Sequence, residues 1–129
     1  MPGPYIANPS DLVVRSTPFG DGQCVALVRA LTGAPNHELW QEGAKLADAI
    51  RTPDGIAKGT AIATFFGGVY PSNSSGNHAG IFVSAAADFT SVEVFDQWVG
   101  QPPHFRTLIF NRPGEHSPSD RAEAFSVML

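Results

Sequence analysis

Phe19-Gly20-Asp21-Gly22-Gln23-Cys24-Val25-Ala26-Leu27-Val28-Arg29-Ala30-Leu31 sets the only cysteine of the 129-residue chain at the mouth of a helix. Cys24, Leu27, Val28 and Leu31 recur at i, i+3, i+4 and i+7, the spacing of one buried helical face. The pattern predicts a helix over about residues 22–32, started by Asp21 or Gly22 as cap. Thr32-Gly33-Ala34-Pro35 supplies the left-handed glycine and the proline that end it. Cys24 then falls in the first turn, where free backbone N–H groups and the positive end of the helix dipole favour thiolate over thiol. The same N–H groups suit a developing oxyanion.

A nucleophilic cysteine needs a base, and the chain offers His37, His78, His104 and His116. His78 is the best placed. It opens His78-Ala79-Gly80-Ile81-Phe82-Val83-Ser84, a short apolar run between polar loops, and reads as the first residue of a strand. Val92-Glu93-Val94-Phe95-Asp96-Gln97-Trp98 reads as the next strand, antiparallel to the first. Alternation places Val92, Val94, Asp96 and Trp98 on one face and Glu93, Phe95 and Gln97 on the other. With Glu93 toward solvent, Asp96 faces inward. A hairpin centred near Ala87 sets Asp96 opposite His78, whereas a slip of one residue offers Gln97 instead. His37, His104 and His116 read as surface residues.

Gly22-Gln23-Cys24 at a helix start, Gly76-Asn77-His78-Ala79-Gly80-Ile81 at a strand start and a polar residue on the following strand resemble the NlpC-type and CHAP-type cysteine peptidoglycan hydrolases, which are papain-like. The resemblance spans roughly residues 19–111, in the order Cys, His, polar residue. The small size, with Trp40-Gln41-Glu42-Gly43 and Gly59-Thr60-Ala61-Ile62-Ala63-Thr64-Phe65, looks most like stand-alone amidases, including those delivered by type VI secretion. The resemblance implies hydrolysis of an amide in the peptide stem or crosslink of peptidoglycan. It also implies Cys24 as nucleophile, His78 as general base and Asp96 in the orienting position, with Gln97 as the alternative third residue. No cofactor or metal is implied. The partners implied are peptidoglycan peptides, the secretion machinery and a cognate immunity protein.

Composition agrees with this and excludes other classes. The length suits one domain over residues 1–129 with a real core. Hydrophobic content of 43% against 16% charged describes an ordered globule. A formal net charge of -4 and eight scattered basic residues argue against nucleic acid. One cysteine leaves no internal disulfide. No apolar run approaches the roughly 18 residues of a membrane span. Met1-Pro2-Gly3-Pro4-Tyr5 lacks the basic and apolar regions of a secretory signal, so delivery to a target cell wall is expected by another route.

Along the chain, residues 11–14 suit a short helix or an extended segment. Asn36 caps a short turn over 37–41. Residues 44–50 fit either a helix or an extended piece. Residues 59–66 read as a strand ending at Gly67-Gly68. Residues 70–77 form a polar loop on the rim of the cleft. Gln101-Pro102-Pro103 breaks the chain, 106–110 is another strand and 112–121 is a loop. Residues 124–129 alternate as a final strand closing the sheet at an edge. Helices followed by strands give an α+β fold, papain-like by resemblance, with the nucleophile helix packed on a mainly antiparallel sheet.

The remaining residues carry two readings each. Asp21 caps the helix or supports the chemistry, and Gln23 contributes an oxyanion contact through its side chain. Trp40, Tyr70 and Trp98 line a substrate groove or belong to the core, Trp98 having the better claim because it shares the face of Asp96. Gly20-Asp21-Gly22 is not a dinucleotide fingerprint, since Val25 stands where its third glycine belongs. Zinc-ligand spacings and the Gly-x-Ser-x-Gly elbow are both absent. A cysteine amidase or endopeptidase, an antibacterial effector, is therefore the leading expectation. A thiol deamidase or acyltransferase acting on a protein or lipid comes second, and an inactive wall-binding module third.

Overall fold

The computed structural model describes residues 3–71 and 76–129. The middle of the polar loop expected at 70–77 thus lies outside the described residues. Helix α1 (Cys24–Thr32) starts two residues later than expected, with Gln23 as N-cap in an extended conformation. It ends where predicted, on Gly33 at φ 73°, whose N–H bonds Arg29 O at 3.0 Å. Ahead of it, residues 9–11 form a single 3-10 turn in which Asn8 Oδ1 accepts the Ser10 N–H at 3.1 Å. Residues 12–15 carry no regular element.

After the short turn His37–Leu39 come strand β1 (Glu42–Lys45) and helix α2 (Leu46–Ala49). The ambiguous 44–50 segment is thus split between the two states. Strands β2 (Ala61–Thr64), β3 (Ala79–Ala85), β4 (Ser91–Trp98), β5 (Gln101–Ile109) and β6 (Phe125–Met128) complete a six-stranded sheet of order β1-β6-β2-β3-β4-β5. Every neighbouring pair is antiparallel.

Two expectations for the sheet are corrected. β6 is not an edge but lies between β1 and β2. Its alternation with Ser126 looks half-exposed, yet Ser126 is fully buried because its hydroxyl donates to Glu42 Oε2 at 2.7 Å. A satisfied hydroxyl can sit inside a sheet at little cost. Nor does Gln101-Pro102-Pro103 break the chain: it begins β5 directly after a tight turn over Val99 and Gly100, the latter at φ 93°. β5 is an edge strand, so prolines with no N–H to donate are tolerated there.

Both faces of the sheet are covered. On one, Leu27 and Val28 of α1 are wholly buried in a cluster with Ala63, Ile81, Val83 and Phe95. Each contributes about 1.5–3 kcal/mol by leaving water. On the other, Leu46 of α2 lies with Ile62, Phe82, Val94, Leu108 and Phe125. The expected single inner face of β4 is therefore two inner faces, and Glu93 alone among its central residues is exposed. β3 and β4 join through residues 86–90, whose Ala87 and Asp88 are exposed. This hairpin tip is at the opposite end of the strands from His78 and Asp96.

Candidate active site

His78 directly precedes β3, and its backbone is tied to the end of β2. Its N–H donates to Thr64 Oγ1 at 3.0 Å and its carbonyl accepts the Thr64 N–H at 2.9 Å. The side chain packs against Phe125 and Trp98, with ring centroids 6.3 and 6.1 Å away. Its Nε2 lies 2.7 Å from Asp96 Oδ2. The expected partner is therefore met, but by a different register. Ile81 pairs with Phe95, so Asp96 stands across from Gly80 and reaches His78 diagonally, two residues along the same face. The hairpin centre is shifted because Phe89 takes a left-handed turn at φ 60° and a bulge interrupts the pairing between Phe82 and Ser84. Gly80 leaves the space this needs, since a Cβ there would come within 3.2 Å of Asp96 Cβ.

Asp96 is completely buried and has more basic side chains around it than the sequence suggests. Arg106 on β5 donates Nε–H to Oδ2 at 2.8 Å. Its other nitrogens bond Asp120 Oδ1 at 3.1 Å and Ser119 O at 3.0 Å. His104 Nε2 lies 3.1 Å from Oδ1, off the hydrogen-bond line, so His104 is not the surface residue expected. Trp98 covers this group: its ring is 5.1 Å from that of His104, and the Arg106 guanidinium is 5.2 Å from its centre. In the sequence Arg106 reads only as the start of a strand, and His104 as a surface residue after a proline break, so neither is connected there with Asp96. Their alternation on β5, opposite Val94 and Asp96, is the signal that would have found them.

Cys24 sits at the first position of α1, buried, with Tyr70 Oη 3.6 Å from Sγ. The Gln23 side chain does not cap this helix end, and among the described residues no other side chain bonds its first N–H groups, which suit a ligand's oxygen. Asp21 Oδ1 accepts the Gln23 N–H at 3.0 Å, shaping the turn before the helix rather than capping the helix itself. Gln23 is exposed, and its side chain makes no hydrogen bond among the described residues. Gln97 does not face His78. Lying on the other side of β4, fully buried, it grips the loop before Cys24: Oε1 accepts the Phe19 N–H at 2.9 Å, and Nε2 donates to Phe19 O at 2.9 Å and Gln23 O at 2.8 Å.

Of the three aromatic residues expected to line a groove, Trp40 is core: it is 2% exposed and its Nε1–H donates to Pro35 O at 2.9 Å. Tyr70 is also buried, but touches the thiol. Trp98 alone is open, at 40% exposure, and with Asp21, Gly22, Val99 and Gln101 lines a groove of about 320 Å³. The groove joins the turn before Cys24 to the β4–β5 hairpin.

The charges are mutually tuned. Burial pushes the Cys24 thiol up, but the hydrogen bond and charge of His78, with the Tyr70 hydroxyl and the Ala79 N–H, outweigh it and bring the thiol below its ordinary range. Burial lowers His78, yet hydrogen bonds to Asp96 and Cys24 and the charges on both push it up to about 9. Asp96, despite burial, is held below the usual carboxylate range by His78 and Arg106. Nε2 is committed to Asp96, so Nδ1 is the ring nitrogen left for sulfur. The arrangement favours a thiolate beside an imidazolium, a pair that can attack an electrophilic carbon and return a proton to a leaving group. Among the described residues, no group of three or more His, Cys, Asp or Glu is placed to hold a metal ion. No helix among them is long and apolar enough to cross a membrane.

Comparison with known proteins finds amidase effectors. The family described as domesticated amidase effector 2 matches residues 6–128. The type VI secretion amidase effector 2 protein of Salmonella typhi is 36% identical over 96 residues, covering 74% of this chain and 68% of that protein. The solved structure of type 6 secretion amidase effector 2 (Tae2) superposes with a TM-score of 0.78 at 29% identity, over 98% of this chain and 94% of that one. The fold is thus the α+β, papain-like one expected.

Proposed function

The chain belongs to the domesticated amidase effector 2 family, and from that premise we propose that it is a cysteine amidase of peptidoglycan, an antibacterial effector. Residues 1–129 act as one catalytic domain that cuts an amide in a stem peptide or crosslink. The observation that carries this reading is the 2.7 Å bond from His78 to Asp96 beside a thiol held at a helix mouth. Cys24 thiolate attacks the amide carbonyl, while His78, oriented by Asp96, gives its proton to the departing amine. Water, deprotonated by His78, then hydrolyses the thioester. The N–H of Cys24 is one donor to the oxyanion. The relatives' names carry type VI secretion, and we infer the same route for this chain, toward the wall of a target bacterium. A cognate immunity protein that covers the thiol follows from that role.

Mass spectrometry of purified peptidoglycan digested with the protein, Cys24→Ala or His78→Ala tests the reading. New amine and carboxyl termini are expected with the intact protein and in neither variant. An undigested wall across crosslink types would sink the proposal and direct attention to protein or lipid amides.

A further inference from the structure

Tyr70 is 8% exposed, and its hydroxyl is the side-chain oxygen beside Cys24 Sγ, at 3.6 Å. The phenol ring is held edge-on by Trp40, 5.0 Å away, and by His37, 5.5 Å away. Trp40 is itself fixed through Pro35 O. Beside a thiolate, which has no hydrogen to give, the Tyr70 hydroxyl is the donor of that contact. The Cys24 N–H is one donor at the carbonyl oxygen, and a side-chain donor beside it adds to the hold on the developing charge. Gln23, the side chain expected to supply the second, is turned out to solvent.

We propose that Tyr70 is a further catalytic residue: its hydroxyl, with the Cys24 N–H, holds the oxygen of the tetrahedral intermediate. A hydroxyl in contact with the sulfur is within reach of an oxygen borne by the carbon that the sulfur attacks. As the C–S bond forms, the π pair of the carbonyl moves onto that oxygen, and Tyr70 donates a hydrogen bond to it without giving up its proton. When the pair returns and the C–N bond breaks, the amine leaves with the proton from His78. Burial, and then the neighbouring thiolate, raise the phenol well above its ordinary pKa, so it stays a donor at any working pH. The donor is also preorganised, because the ring is clamped before substrate arrives.

The inference rests on the amidase reading, and Tyr70→Phe tests it on the same peptidoglycan digest. The substitution keeps the ring and its packing and removes only the hydroxyl. The expected result is a fall in kcat of about 10²-fold with KM little changed. Alkylation of Cys24 by iodoacetamide at pH 10, where the thiolate is formed in both proteins, should stay within about twofold. A kcat within about threefold of the unsubstituted protein would overturn the role of Tyr70 and leave the amidase reading standing. So would a fall in kcat matched by an equal fall in alkylation, which would confine the hydroxyl to the ground-state thiol. His37→Ala trims the packing on the same ring and keeps the hydroxyl. A loss there as large as at Tyr70→Phe would assign the effect to packing and overturn the proposal. If the unsubstituted protein released no termini at all, the amidase reading and this inference would fall together.

Discussion

Cys24 and His78 set each other's protonation, and removing one should be visible in the other. The hydrogen bond and charge of Cys24 are among the causes that hold His78 near 9. In Cys24→Ala they vanish while burial, which lowers an imidazole, remains. The His78 ring should then titrate lower by about one pH unit or more, as read from its proton resonances by NMR. An unmoved titration would show that Asp96 alone keeps the ring protonated. In the intact protein the thiolate–imidazolium pair persists from the lowered thiol pKa up to about 9. These residues were legible because chemistry constrains local sequence. A thiol at a helix mouth needs the Gly20-Asp21-Gly22 turn before it, and a histidine at a strand start needs a loop before the apolar run. Tyr70 was not legible as a partner of the thiol, since a loop residue 46 positions away meets Cys24 only through the fold.

β4 is the element that assembles the site, because neighbouring residues on it point to opposite faces. Asp96 reaches His78 on one side while Gln97 secures the loop that presents Cys24 on the other. Gln97→Leu would leave the Phe19 N–H and two carbonyls without their partners in a buried setting. The expected cost is about 3 kcal/mol in urea unfolding, with reduced activity because the loop before Cys24 is no longer held. A loss under about 1 kcal/mol would mean that other contacts fix that loop. The alternation along β4 was readable from periodicity alone, and so was the choice between Asp96 and Gln97. Which of the two meets His78 was settled by a bulge in β3 and a left-handed Phe89, long-range details that leave no clear local pattern. β5 was misread for the opposite reason. Its prolines carry a strong local signal, which the free edge of the sheet overrides.

For the molecule as a whole, the buried charges predict where stability depends on pH. Asp96 has a folded pKa depressed below its ordinary 3.8. Its contribution is therefore complete above about 3.8 and is lost as pH falls through the depressed value. The Cys24–His78 pair behaves differently. From the lowered thiol pKa or 6.5, whichever is higher, up to about 9, the unfolded chain carries one proton on sulfur and the folded chain carries one on the imidazole, so unfolding exchanges no net proton there. Tm should accordingly be level across that interval and fall on the acid side, and Asp96→Asn should flatten the acid fall while lowering the plateau. An acid limb unchanged by Asp96→Asn would assign it to other carboxylates. The fold class was accessible from the order of helices and strands. The place of β6 inside the sheet was not, because Ser126 is buried through a partner 84 residues away.

The hairpin tip at residues 86–90 has a practical consequence. About five residues of strand, or roughly 17 Å, separate Asp96 from Ser91. The bulge at Phe82 to Ser84 already absorbs one irregularity between the two. A fluorophore or affinity handle spliced between Ala87 and Asp88 would ride on the idle end of the molecule, so that arrival at a target cell could be followed by microscopy with the cutting end left as it is.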